Sequence, residues 1–228
     1  MALRPAPRWI GLLLAGALAA HIGWQAIRPA ARPVAAALPP APPPPLLRLA
    51  SLGDDAALAR VLMLSLQAWD EQAGASQPLH ALDYGRVVGW LRGALLLDPR
   101  SQYPLAAATG VYGAVPDPAR LRIMLDFVEQ AFAADPARRW PWMVQAALLA
   151  RHRLHDLPRA QRYARAVRTL APQAPPWARE LEIFVLQDMG ELEAARTVAG
   201  ALLQGGDVRD PAELRFLQRR LEALERQR

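Results

Sequence analysis

Residues 139–172 and 174–207 are copies of one another offset by 35 positions, and no other feature constrains the fold as tightly. Pro141-Trp142 recurs as Pro176-Trp177, Asp156-Leu157 as Glu191-Leu192, and Ala160 and Ala164 as Ala195 and Ala199. A unit of this length with a polar break halfway is a pair of helices joined by a turn. Such a pair is too thin to bury its own apolar face and has to stack on a neighbour.

The same rhythm extends towards the N-terminus. Asp54 or Asp55 can cap a helix whose Leu58, Val61, Leu62, Leu66 and Trp69 recur at spacings of three and four, ending at Gly74. Asp83 can cap a second helix with Val87, Val88, Leu91, Leu95 and Leu96, stopped by Asp98-Pro99. A short helix rich in Ala and Gly is expected over 103–115. Asp117-Pro118 opens a fourth, which carries Leu121, Met124, Leu125, Val128 and Phe132 and closes at Asp135-Pro136. The repeated pair supplies helices over 141–154, 158–170, 176–189 and 192–203, with stops at Gly190 and Gly205. Asp210-Pro211 begins a last helix bearing Leu214, Leu217, Leu221 and Leu224. It is too short for a coiled coil and suits the cap that an open apolar end requires. No run alternates with period two, so nothing reads as a strand. The expectation is an all-α stack of four hairpins and a C-terminal capping helix.

The second helices carry a family likeness: Asp83 through Ala94 to Leu97-Asp98-Pro99, Ala131 to Asp135-Pro136, and Asp156-Leu157 with Ala160, Leu170 and Pro172. Over residues 54–208 the chain resembles the tetratricopeptide repeat family. Ala94, Ala131, Ala160 and Ala195 stand where that family brings two helices close, and proline breaks the chain before the next unit. The first helices depart from its pattern: Trp142 and Trp177 are displaced from the aromatic position, and Leu148 and Arg151 replace its Gly and Tyr. The resemblance implies an α/α solenoid that holds a peptide or partner protein in a concave groove lined by first helices.

Ahead of the helical domain, assigned to residues 49–228, lie three shorter segments: a tail at 1–8, an apolar stretch at 9–27 and a proline-rich linker at 28–48. As a helix the apolar stretch would reach about 28 Å, the thickness of a bilayer core. It is flanked by Arg4, Arg8, Arg28 and Arg32, with Trp9 and Trp24 near its ends. These features lead us to expect one transmembrane helix in the inner (plasma) membrane, contacting lipid through 9–27, with the repeats on the exported side. The alternative is a signal peptide cut near Ala15-Gly16-Ala17 or Ala17-Leu18-Ala19, leaving a secreted repeat protein. Eight prolines between 29 and 47 favour polyproline II and the role of a semi-rigid spacer.

The formal charge of +6 resides in that N-terminal region. Five of the 27 Arg precede residue 49 with no acid among them, leaving 22 Arg against 21 acids in the domain. A nearly neutral domain argues against nucleic acid. Within the domain the charges segregate. Residues 138–168 hold eight Arg and one acid, whereas residues 174–210 hold seven acids and three Arg. Stacked neighbours would neutralise one another; the other reading is a basic patch for an acidic peptide or a lipid headgroup. Arg138, Arg139, Trp140 and Trp142, with Arg151 and Arg153, form the candidate partner-binding patch.

No catalytic group stands out, and neither a cofactor nor a metal is expected. There is no cysteine, no Gly-x-Ser-x-Gly and no glycine-rich phosphate loop. His152, His155 and Asp156 have metal-like spacing but lack a third fixed ligand, since Asp156 is the natural cap of the next helix. The sequence therefore points to a scaffold for protein–protein contacts in a membrane-associated assembly, with a metal-dependent enzyme a remote third reading.

Overall fold

The structure, a computed structural model, describes residues 8–27, 35–72, 75–205 and 210–226. The tail at 1–7, the first part of the proline-rich stretch at 28–34 and the Gly74 stop lie outside the described residues. The chain is all-α. Its helices are α1 (Arg8–Ile27), α2 (Pro44–Ala50), α3 (Asp55–Gln67), α4 (Tyr84–Leu97), α5 (Tyr103–Ala106), α6 (Pro118–Ala134), α7 (Pro136–His152), α8 (Leu157–Leu170), α9 (Pro176–Arg179), α10 (Leu181–Asp188), α11 (Leu192–Gln204) and α12 (Pro211–Arg226). Against expectation there is a little β-structure: Glu71–Gln72 (β1) pairs antiparallel with Ala75–Ser76 (β2) between α3 and α4.

The acidic N-caps lie where local chemistry demands them. The Asp54 carboxylate accepts the N–H of Ala57, and that of Asp83 accepts those of Gly85 and Arg86. Asp117 takes the N–H groups of Ala119 and Arg120, and Asp156 that of Arg159. Each satisfies donors that a helix start leaves orphaned. One boundary moves. Asp135 closes α6 and also caps α7 through the N–H of Arg138, so α7 begins at Pro136 and carries Pro141 inside it. Pro136 at the first position fits any helix start. Pro141 forfeits one bond near the N-terminal end, which the rest of the helix tolerates. The expected helix over 103–115 also divides, into α5, a π turn at Ala107–Val111 and a 3-10 turn at Tyr112–Ala114.

Elements pack chiefly on their chain neighbours: α3 on α4, α6 on α7, α7 on α8, α8 on α10, α10 on α11 and α11 on α12, with α4 also against α6. This order is compatible with a helical-repeat fold. The small residues at the close approaches are buried, Ala94, Ala160 and Ala195 at 0% exposure and Ala131 at 8%. One core cluster runs from Leu38 to Val185. A smaller one, built on Ile183, Leu186, Val198, Leu202, Leu217 and Leu224, lies under α10–α12.

The second half of the proline-rich stretch runs along the helical body instead of standing apart from it. Residues 35–43 form neither helix nor strand and lead through Pro43, extended at φ −67° and ψ 150°, into α2, whose first turn is made by Pro44 and Pro45. Polyproline-like backbone leaves its carbonyls unused, and the body supplies donors to them. Trp69 Nε1 donates to the Ala36 carbonyl at 3.0 Å, Arg86 to that of Leu38 at 2.5 Å and Trp90 Nε1 to that of Pro39 at 2.9 Å. The Gln72 amide pairs with both the N–H and the carbonyl of Ala36. Leu38 and Leu47 are buried in the main core. Helix α4 admits this strap through two glycines one turn apart. A Cβ on Gly89 would meet Ala41 Cβ at 3.3 Å, and one on Gly93 would meet Leu47 Cδ1 at 3.2 Å.

Among the described residues no helix is long and apolar enough to cross a membrane. This overturns the expectation of a single-pass anchor at 9–27 in the inner membrane. The segment is helical as α1, but Ala and Gly at 11, 15, 16, 17, 19, 20, 23 and 26 carry little transfer free energy. His21 and Gln25 subtract from what its leucines supply.

Candidate functional site

The six residues of the expected patch do not converge. Arg138 is exposed beside Asp135. Arg139 is 5% exposed and donates to the carbonyls of Ala131 at 2.6 Å and Pro99 at 2.9 Å, tying the end of α6 to the turn after α4. Burial draws its pKa below the usual arginine value. Trp142 Nε1 donates to Gln102 Oε1, while Trp140 meets Trp177 edge-on with ring centroids 5.8 Å apart. Arg151 pairs with Asp188 at 2.5 Å, across from α7 to α10. Arg153 covers the carbonyls of Gly113, Ala114 and Val115. Because α7 begins at Pro136, residues 138–142 spread around the first turns of a helix at about 100° per residue. Arg151 and Arg153 lie about 20 Å further along.

The segregated charges meet one another. Glu182, with 0% exposure, accepts from Gln161 at 3.0 Å, Arg165 at 3.2 Å and Arg168 at 2.6 Å. On its other side the basic unit reaches back to α6 through Arg159 to Asp126 and Arg162 to Glu129. The basic patch is therefore largely consumed in joining neighbouring units. His152 and His155 are exposed at the end of α7, and Asp156 is engaged as a cap and with Arg159. Among the described residues no three His, Cys, Asp or Glu side chains gather as a metal site.

The structure offers open grooves instead. One, of 380 Å³, runs between α4 and α6 and is lined by Arg92, Leu95, Leu96, Phe127, Gln130 and Arg139. Arg92 and Leu96 also border a second hollow, of 400 Å³, against Ala41, Pro43 and Leu47 of the strap. The two adjoin along α4 and share Arg92 and Leu96, with Leu96 40% exposed between them and Arg92 hydrogen-bonded to Gln130.

No family model, curated protein or solved structure matches the chain. The functional reading rests on this geometry. Of the residues that line these grooves, Leu95 and Leu96 read in the sequence only as part of an apolar stripe and Arg139 as part of the Arg-Trp patch, while Arg92, Phe127 and Gln130 carry no signal that sets them apart from the rest of their helices. The signal that was present is the spacing of Gly85, Gly89 and Gly93, a small-residue stripe on α4 that announces the close approach of other backbone.

Proposed function

We propose that the chain is a tetratricopeptide-like α-solenoid whose surface receives extended polypeptide segments of a partner protein. The observation that carries this reading is the strap. Trp69, Gln72, Arg86 and Trp90 hold an extended segment through its main-chain groups, with Leu38 as a buried anchor. That is how grooves recognise proline-rich and extended peptides: donors aimed at free carbonyls, with apolar hollows between them. The channel between α4 and α6 adjoins the strap through Arg92 and Leu96 and stands open, its lining apolar apart from Arg92, Gln130 and Arg139.

Site-specific photocrosslinking in the native cell tests it. A crosslinker at Leu96, in the channel lining, is expected to trap a defined partner segment that the same group at Arg122, exposed on α6, does not. Equal labelling from the two positions would sink the reading.

A further inference from the structure

A separate groove, of 380 Å³, opens where α9 and α10 face α12, lined by Trp177, Glu180, Phe184, Ala212, Glu213 and Phe216. Positions 177, 180 and 184 form one stripe, and 213, 216 and 220 another, at helical spacings of three and four. Phe184 and Phe216 lie 6.2 Å apart between centroids. At their end of the groove the Arg220 guanidinium sits 4.9 Å over the Phe184 ring and donates to Gln187.

At the other end no cation of the described residues is stacked on the ring or ion-paired with the acids. Trp177 is 55% exposed, although its edge meets Trp140. Glu180 is only 4% exposed, and its Oε1 has no hydrogen-bond partner. Neither Glu180 nor Glu213 makes an ion pair among the described residues, whereas Glu182, Asp188 and Glu193 of the same unit are all paired. Burial raises the Glu180 pKa, the charge of Glu213 adds to this, and neighbouring Arg179 opposes it. Of the α12 cations, Arg220 is taken by Phe184 and Gln187, and Arg215 and Arg219 fall on the far side of the helix by its period. A buried, unpartnered carboxylate beside a second acid is costly in the free protein and is relieved by a positive group.

We propose that this groove receives an arginine side chain from a basic segment of a partner protein, its guanidinium stacked on Trp177 and paired with Glu180 and Glu213. Arginine fits better than lysine. Its planar, weakly hydrated head stacks on an aromatic face and presents donors to two carboxylates at once, and the fold already places Arg220 on Phe184 in this manner. Only the source of the arginine rests on the scaffold reading. The test uses a defined peptide, so its failure leaves the channel between α4 and α6 untouched.

The full chain, ¹⁵N-labelled at tryptophan, is titrated with an acetylated, amidated Leu-Ala-Arg-Ala-Leu peptide and with the same peptide carrying citrulline. The Trp177 indole resonance, assigned by its loss in Trp177→Phe, is expected to move with the arginine peptide. The citrulline peptide is expected to bind roughly tenfold more weakly. Glu213→Gln, at a partly exposed position, is expected to weaken the arginine peptide by a similar factor with an unchanged circular dichroism spectrum, and Glu180→Gln to do the same. An equal response to citrulline, a stationary Trp177 resonance, or full affinity in both glutamine variants would overturn the proposal. So would free arginine amide binding as tightly as the peptide, which makes a small cation the ligand. Self-association that disappears in Glu213→Gln would assign the groove to a second copy of the chain and overturn the separate partner.

Discussion

Arg138 and Arg139 adjoin in the chain, yet one guanidinium lies in water against Asp135 and the other bridges two main-chain carbonyls under cover. Arg139→Ala would strand those carbonyls and is expected to cost about 2 kcal/mol in urea unfolding. Arg138→Ala removes only an exposed pair and should stay within about 0.5 kcal/mol. Glu182 is a stronger case, because its removal leaves Arg168 partly buried without its acid. Glu182→Ala is expected to lower stability by about 3 kcal/mol by the same measurement. Glu180 behaves in the opposite sense. Its folded pKa is raised above the unfolded value of about 4.3, so the native state binds the extra proton and stability falls as pH rises through that interval. Glu180→Gln should therefore melt higher than the parent chain at pH 7, and the difference should shrink as pH falls and vanish near pH 3, well below the unfolded value, where the carboxyl is protonated in both states.

Helix ends were legible in the sequence because their chemistry is local. Asp54, Asp83, Asp117 and Asp156 cap the helices they precede, and Gly190 ends α10 with a φ of +77°. What escaped depends on partners distant in the chain. Composition makes the proline-rich stretch extended, but it cannot reveal that Trp69, Arg86 and Trp90 would aim donors at it. The Arg-Trp cluster reads as one surface because its residues adjoin in the chain, whereas a helix that starts at Pro136 turns them to different sides. A glycine inside a helix costs about 1 kcal/mol relative to alanine, so two on one side of α4 call for a reason, and the strap provides it. Gly89→Leu should lift the strap while leaving the helices folded. Thermolysin is expected to cut before Leu47, buried in the parent chain, at least roughly tenfold faster in this variant, with the melting transition retained.

Across the whole molecule, the packed helices form two apolar clusters of unequal size, with α8 against α10 at the junction and Glu182 and Asp188 tied to arginines across it. The smaller cluster should open first. Native-state hydrogen exchange is expected to show α11 and α12 losing protection before α6, α7 and α8, and uniform protection would contradict this division. The strap acts at the opposite end. Its hold on Ala36 fixes where the chain leaves the helical body, beside Trp69 rather than at the start of α3. Between residues 36 and 55 this takes up nineteen residues of slack, about 60 Å if fully drawn out. Whatever is joined ahead of Ala36 therefore meets the body beside Trp69 and Gln72, at the strap's first hydrogen bonds.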